Sequence, residues 1–588
     1  MNSCAEKEVE YDWQPAGDKI MTDWGENLTV ADVYGEYPRP QMVREKWTSL
    51  NGLWNYKTDK SEGMILVPFA IESALSGVGE FLNPDEKLIY TREFKLSGKD
   101  FKGRVLLHAG AIDQDAVVFI NDKEVAHHIG GYASFSADIT DVAKKGSNTI
   151  RIEVIDNTND GYMATGKQVR NPRGIWYTPV SGIWQTIWLE PVPANYIKDL
   201  MIIPDIDASK LAVTVIPNTP EGEVYVEMLA DGNVVASATA AATNPVVSLA
   251  VENQHLWSPD DPYLYDLKVE LRKNGKTIDK VDSYAAMRKI STAVDRQGIK
   301  RAQLNNKDIF MMGPLDQGWW PDGLYTAPTD EALLFDIQRT KDLGFNTIRK
   351  HVKVEPDRWY YYCDKLGMLV WQDMPSGDRR GTDWSGQWKF LETDPQVRTE
   401  ESMKNYYHEW GEIMAQLKNH PSIVVWVPYN EAWGQSRSVE VANWTKAQDP
   451  SRLVNTASGG NHFRVGDIID QHHYPEPKMT FFEPGFVNVL GEYGGIGYPI
   501  SGHLWDEGSN RNWGYVSFDQ SEVVTNNYVD FANMMLDLVP KGFSAAIYTQ
   551  TTDVESEVNG LFTYDRKVLK MDEDKVRDAN QELCHSLD

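Results

Sequence analysis

The sequence predicts a mixed β and α/β protein of three parts: a jelly-roll or sandwich domain, an immunoglobulin-like β-sandwich and a C-terminal (β/α)8 barrel. Three observations carry this. Short runs of alternating apolar and polar residues, separated by turn residues, fill the chain to about residue 195. A second such stretch follows to about 290. From 291 the texture changes to apolar strands alternating with helical periods.

Residues 12–195 form the first β domain. Val105-Leu106-Leu107, Ala116-Val117-Val118-Phe119-Ile120 and Thr149-Ile150-Arg151-Ile152-Glu153-Val154 read as strands. Turns at Asn121-Asp122 and Gly130-Gly131 part them, and Ile183–Leu189 alternates as a further strand. In residues 196–290 the strands are Leu211–Val215, Val224–Met228 and Tyr265–Leu271, at immunoglobulin-like spacing.

Residues 291–588 hold eight apolar strand candidates: Ile309–Gly313, Thr347–Arg349, Met368–Asp373, Ile423–Val427, Leu453–Ala457, Ile468–Gln471, Val487–Gly491 and Ala545–Tyr548. Residues 330–343 open with Asp330 and Glu331, suited to a helix N-terminus, and stop at Gly344. Met403, Tyr407, Trp410, Met414 and Leu417 recur at helical spacing. The length is that of a (β/α)8 barrel, with short fifth to seventh units.

The formal net charge of −28 leaves no cationic footprint for phosphates, so a nucleic-acid partner is excluded. No apolar run approaches the roughly 20 residues of a membrane helix. The 20 Trp suit a chain that handles carbohydrate, because indoles stack on the C–H faces of sugars. Three scattered cysteines, Cys4, Cys363 and Cys584, make neither a disulfide framework nor a cysteine zinc site.

Residues 1–11 form an N-terminal tail in which Ser3-Cys4-Ala5 precedes a polar acidic stretch. That pattern resembles the start of a bacterial lipoprotein without its apolar leader, and an exposed tail thiol is the equal alternative. The first implies a periplasmic or membrane-anchored protein, the second allows a cytoplasmic one.

Three motif matches fail. Gly161–Lys167 has P-loop spacing, but Gln168 stands where a Ser or Thr should hold Mg2+. Asp156–Gly161 lacks the twelfth-position Glu of a calcium loop, where Lys167 stands. His472-His473 lacks the i,i+4 spacing of a helical zinc pair.

Two carboxylates sit in better contexts. The buried strand Ile423–Val427 runs into Pro428-Tyr429-Asn430-Glu431, and Val487–Gly491 runs into Glu492. Burying a carboxylate there is costly unless it is paired or protonated. Both fall at the C-terminal face of a barrel, on its fourth and seventh strands. A pair of carboxylates is what glycoside hydrolysis uses: one protonates the departing oxygen, the other attacks the anomeric carbon or activates water.

At these residues the chain resembles glycoside hydrolase family 2, which contains β-galactosidases, β-glucuronidases and β-mannosidases. Asn419-His420-Pro421-Ser422 through Asn430-Glu431 resembles its acid/base signature, and Gly491-Glu492-Tyr493-Gly494 its nucleophile strand. Val117–Val125 with Gly130–Phe135, and Gly182-Ile183-Trp184-Gln185, resemble its jelly-roll sugar-binding domain. The resemblance implies a retaining exo-acting enzyme. Glu492 would be the nucleophile and Glu431 the acid/base, with Asn430 on the sugar 2-hydroxyl. The carboxyl groups would stand roughly 5–5.5 Å apart, Glu431 protonated and Glu492 ionised near neutral pH.

The chain departs from the family at Arg349-Lys350-His351-Val352-Lys353-Val354-Glu355-Pro356, where better-known branches carry Arg-x-Ser-His-Tyr-Pro. No Asn-x-Lys carboxylate clamp of the β-glucuronidase kind is evident.

Position in the barrel nominates further pocket residues: Arg349, Asp373 after the third strand, His473 and Tyr474 after the sixth, Trp319 and Trp320 after the first, and Gln550 after the eighth. Tyr474 is expected to hydrogen-bond the nucleophile, and His473 and Asp373 to read sugar hydroxyls. His351 or Lys353 would meet an acidic or sulfated group. β-Galactosidase is the nominal specificity. A β-glucuronidase or other glycosidase acting on polysaccharide fragments stays open, as does a non-catalytic carbohydrate-binding protein. No cofactor is required; a structural metal ion and an oligomer remain compatible with the sequence.

Overall fold

The structure is a computed structural model that describes residues 13–588. Cys4 and the tail signal lie outside the described residues. No helix among the described residues is long and apolar enough to cross a membrane.

The first domain is an antiparallel two-sheet sandwich, with a six-stranded sheet facing a four-stranded one. Its strands are half-buried by alternation. In Gly146–Ile155 every second residue from Asn148 to Val154 is buried, and in Asp115–Ile120 it is Ala116, Val118 and Ile120. These side chains meet Trp54, Tyr90 and Leu107 in one core. The second domain is a sandwich of three and four antiparallel strands that begins at Ile197 and ends at Ala285. Its core has the same β-branched character, with Val213, Val226 and Val269.

A short hairpin, Ile290–Val294 with Lys300–Leu304, leads into the barrel. Arg301 of this hairpin is buried under the barrel and donates to the carbonyls of Phe543 and Val539. The barrel strands are β1 (Met311–Asp316), β2 (Thr347–Lys350), β3 (Leu369–Asp373), β4 (Ile423–Val427), β5 (Leu453–Val454), β6 (Ile468–His472), β7 (Val487–Gly494) and β8 (Phe543–Thr549). They form one parallel sheet that runs from β5 through β1 and β8 to β6. A parallel bridge between Asn455 and Ile468 joins its two ends. All eight strands are buried on both faces, which is why they read as unbroken apolar runs.

Helices α1 (Asp330–Asp342), α2 (Asp357–Leu366), α3 (Glu400–Leu417) and α4 (Ser438–Gln448) follow β1 to β4. No helix separates β5, β6 and β7, and α5 (Ser521–Leu536) and α6 (Glu573–Cys584) follow β7 and β8. Helix α1 starts as its sequence requires: Thr329 caps Ala332, acids lie in the first turn and Arg339 and Lys341 in the last. Helix α3 buries Tyr406 rather than Tyr407, whose hydroxyl reaches outward to Glu440.

Three strands differ from expectation by three residues at one end. Ile309 belongs to the hairpin, donating to Ala302, so β1 starts later and extends to Asp316. The expected fifth strand breaks after Val454, and Ala457-Ser458 pairs instead with Tyr429-Asn430. Strand β7 continues through Glu492 to Gly494, with its pairing to β8 irregular between Leu490 and Tyr493. Such a bulge re-aims side chains, here those at the barrel mouth.

Candidate active site

The C-terminal ends of the barrel strands converge on Glu431 and Glu492. Glu431 follows Asn430 in a left-handed conformation (φ 56°), and its N–H donates to Ser458 O at 2.6 Å. A non-glycine residue held there costs about 1–3 kcal/mol, which the surrounding structure must offset. Its carboxylate accepts from Trp433 Nε1 at 2.7 Å and lies 3.1 Å from His472 Nδ1. Glu492 accepts from the Tyr474 hydroxyl at 2.8 Å and from Arg349 at 3.1 Å. His472 Nδ1 is 3.4 Å from Glu492 Oε2, the oxygen that accepts from Tyr474.

Arg349 organises the floor. The fully buried guanidinium grips Asp373 with Nε and Nη2, at 3.2 and 2.9 Å, and donates to Asn430 Oδ1 at 2.7 Å and to Gly491 O at 3.1 Å. Taking Oδ1 fixes the Asn430 amide, whose Nδ2 makes no hydrogen bond among the described residues. Burial raises the Asp373 carboxyl, against the opposing pull of Arg349.

The hydrogen bonds around His472 suit an imidazolium with a proton on each ring nitrogen. Ser458 donates its hydroxyl proton to Asp470 Oδ2 at 2.6 Å, so its oxygen accepts from His472 Nε2 at 2.8 Å. Nδ1 in turn faces the carboxylate of Glu431. Burial pulls the His472 pKa down, but Glu492, Glu431 and Asp470 together raise it above the ordinary value. Asp470 also accepts from the Gly491 N–H at 2.6 Å. A Cβ at Gly491 would stand 2.2 Å from its carboxylate, so this close approach needs glycine.

The same charge acts on Glu431. Burial raises its carboxyl, but His472, Lys167 and the Trp433 bond outweigh that and hold it below the ordinary value. The expected resting proton on Glu431 is thus opposed by its surroundings: His472, Lys167 and the Trp433 bond all favour the ionised carboxylate.

Of the other nominated residues, Tyr474 is beside Glu492, its ring stacked on Tyr515 with centroids 3.6 Å apart. His351 lies 3.3 Å from Asp373 and 4.0 Å from Glu492, and burial, then Lys167 and Arg349, push its pKa well down, so it is neutral. His473 turns away: alternation along β6 points Asp470 and His472 inward, and the His473 ring bonds the Glu476 carbonyl. Trp319 is 1% exposed and packs on Tyr325 and Tyr177, and Trp320 lies under Arg566. Gln550 is fully buried and donates to Asn559 at 2.7 Å. Lys353 is consumed by Glu355 and the carbonyls of Gly318 and Tyr325, away from the carboxylate pair.

Lys167 arrives from the first sandwich, a contribution the sequence reading missed. Its segment is latched to the loop after β3, where Thr165 and Gly166 donate to Ser376 O at 2.9 Å. Gly166 (φ 55°) has no room for a Cβ, which would stand 2.5 Å from Val352 O. Lys167 is 9% exposed, and its charge acts on His351, Glu431 and Glu557. Among the described residues its Nζ makes no hydrogen bond. Glu557 accepts from the Tyr177 hydroxyl and from Asn559, and burial raises its carboxyl.

Glu431, His472 and Glu492 each offer a ligand atom, all within 4.8 Å of one another. That set could hold a divalent cation such as zinc, at the expense of both carboxylates.

Comparison with known proteins agrees with this architecture. Residues 82–174 match the galactose-binding-like domain of glycosyl hydrolase 2, residues 195–288 match glycosyl hydrolases family 2, and residues 300–487 match the family 2 TIM barrel domain. The chain belongs to glycosyl hydrolase family 2. Among its relatives is a β-galactosidase of Halalkalibacterium halodurans, 25% identical over 71% of this chain and 43% of that one. A β-glucuronidase of Paenibacillus borealis is 24% identical over 71% and 74%. The chain spans less than half the length of the first curated relatives it matches, 40% and 43%. In fold it is similar to the β-glucuronidase of Ruminococcus gnavus, with TM-score 0.74 and 18% identity over 93% of this chain and all of that one. It is likewise similar to an FMN-binding β-glucuronidase from Facaelibacterium prausnitzii L2-6, with TM-score 0.72 and 21% identity over 92% and 86%.

Proposed function

We propose that this chain is a retaining exo-β-glycosidase that removes a terminal β-linked sugar, nominally galactose. The observation that carries this is the placement of Glu431 and Glu492 on opposite walls of the barrel mouth, with facing oxygens within 4.8 Å. Retaining glycosidases hold their carboxyl groups roughly 5–5.5 Å apart, whereas inverting ones leave about 6.5–9.5 Å for a water.

Tyr474 and Arg349 aim the Glu492 carboxylate, which attacks the anomeric carbon as the glycosidic oxygen leaves with a proton from Glu431. That proton comes from His472 Nδ1, 3.1 Å from Glu431 Oε1. The transfer leaves a neutral imidazole still bonded to Ser458, a protonated Glu431 and an ionised Glu492. In the second half Glu431, now a carboxylate, takes a proton from the attacking water. Cleavage of the glycosyl ester then frees Glu492. Asn430, fixed by Arg349, presents Nδ2 to the sugar 2-hydroxyl.

A uronide substrate is the second reading, and Lys167 favours it: a nearly buried ammonium without a protein acceptor suits a sugar carboxylate. Glu557 beside it favours a neutral hydroxyl instead.

A screen of 4-nitrophenyl glycosides, α and β, against the wild type and Glu492→Ala tests the proposal. β-Galactoside turnover by the wild type alone is the expected result. Turnover of the β-glucuronide, lost in Lys167→Ala, would select the second reading. A protein that binds sugars without hydrolysing any would refute the catalytic assignment.

A further inference from the structure

The outer side of Glu431 is walled by indoles. Trp433, whose Nε1 bonds Glu431 Oε2, packs edge-on against Trp176 at 5.2 Å and against Trp384 at 5.8 Å between ring centroids. The three come from separate parts of the chain: Trp433 just past β4, Trp384 in the long connection after β3, and Trp176 in the first sandwich. All three are half-buried, whereas nine tryptophans elsewhere are fully buried in cores. Core packing therefore does not account for this cluster, which keeps indole surface open beside the acid/base carboxylate.

The Trp176 ring is held in place. The Arg379 guanidinium lies 4.1 Å from its centre and is itself tied to the Gly166 and Gln168 carbonyls and the Thr165 hydroxyl. Lys167 Nζ is 5.6 Å from the same ring. The patch therefore combines rigid aromatic surface with one unsatisfied donor, which is the chemistry that recognises a pyranose: C–H faces for the indoles and a hydroxyl for the ammonium.

We propose that Trp176, Trp384 and Trp433 form a subsite for the first sugar of a saccharide leaving group, and that the N-terminal sandwich supplies one of its walls. This rests on the glycosidase reading, because the leaving oxygen must lie on the Glu431 side. The substrate is then a β-linked oligosaccharide rather than a glycoside of a small alcohol.

The test compares the wild type, Trp176→Ala and Trp384→Ala on lactose, which has a leaving sugar, and on β-galactosyl fluoride, which has none. Trp433 is left intact because it bonds Glu431. The expected result is a loss in kcat/KM of about tenfold on lactose, with fluoride hydrolysis within about twofold of wild type. Equal losses on both substrates, or none on lactose, would overturn the subsite. Should the wild type leave the fluoride intact, the sugar assignment has failed, and calorimetric titration of the Glu492→Gln protein with lactose and cellobiose decides. Saturable binding weakened by Trp176→Ala keeps the subsite; no binding, or equal binding, overturns it.

Discussion

His472 places Nδ1 3.1 Å from Oε1 of Glu431, within reach to pass a proton to the proposed acid/base residue. The same nitrogen is 3.4 Å from Glu492, which also pairs with Arg349, so an imidazolium here and the guanidinium together balance the two carboxylates. Those cations offset the cost of holding the pair this close in a buried site.

Removing the charge therefore changes the pH profile in a definite direction. A cation lowers the pKa of a neighbouring carboxyl, and Glu431 is held low partly by His472. In His472→Gln the Glu431 pKa rises, the acid form persists to higher pH, and the alkaline limb of kcat/KM moves up, as a pH–rate series will show. A limb that stays put would detach His472 from the acid.

Arg349 carries structural as well as chemical weight. Arg349→Met leaves Asp373 as an uncompensated buried charge, a defect of about 3–5 kcal/mol. The thermal midpoint should fall by several degrees and activity should vanish with it. A variant that melts like the wild type would show that Asp373 protonates freely.

Stability itself should decline with rising pH through one buried acid. Glu409 on α3 accepts from the Gly131 N–H of the first sandwich, and burial pushes its pKa up to about 8. Between the unfolded value near 4.5 and 8 the native state holds a proton that the unfolded chain has lost, so stability falls as pH rises across that window. Glu409→Gln should flatten this slope, raising the melting temperature at pH 8 more than at pH 5.

The carboxylate pair with His472 also predicts the response to metals. Zn2+ should inhibit by occupying Glu431, His472 and Glu492, and EDTA should leave activity intact. Loss of activity in EDTA, restored by Zn2+, would make the metal functional.

Much of the barrel was legible because each parallel strand is buried on both faces and reads as an apolar run. Glu431 and Glu492 stood out as carboxylates at the ends of such runs, and Tyr474 lay close behind β6. His472 was missed in favour of His473, because choosing between adjacent histidines needs the phase of the strand, which the structure sets through Asp470 and Gln471. Lys167 and Trp176 were invisible as site residues. They cross from another domain, and nothing local in Gly161–Lys167 signals the contact with Ser376. Trp319 and Gln550 were placed by strand position alone, which does not tell whether a side chain enters the pocket or the packing around it.

The most direct test of the central claim is to incubate the protein with 2-deoxy-2-fluoro-β-galactosyl fluoride and to map the product by peptide mass spectrometry. The fluorine slows release of a glycosyl ester more than its formation. The account predicts one added fluorosugar on the peptide containing Glu492, lost in Glu492→Ala. Turnover of β-galactosides with no adduct there, or an adduct on another residue, would contradict it.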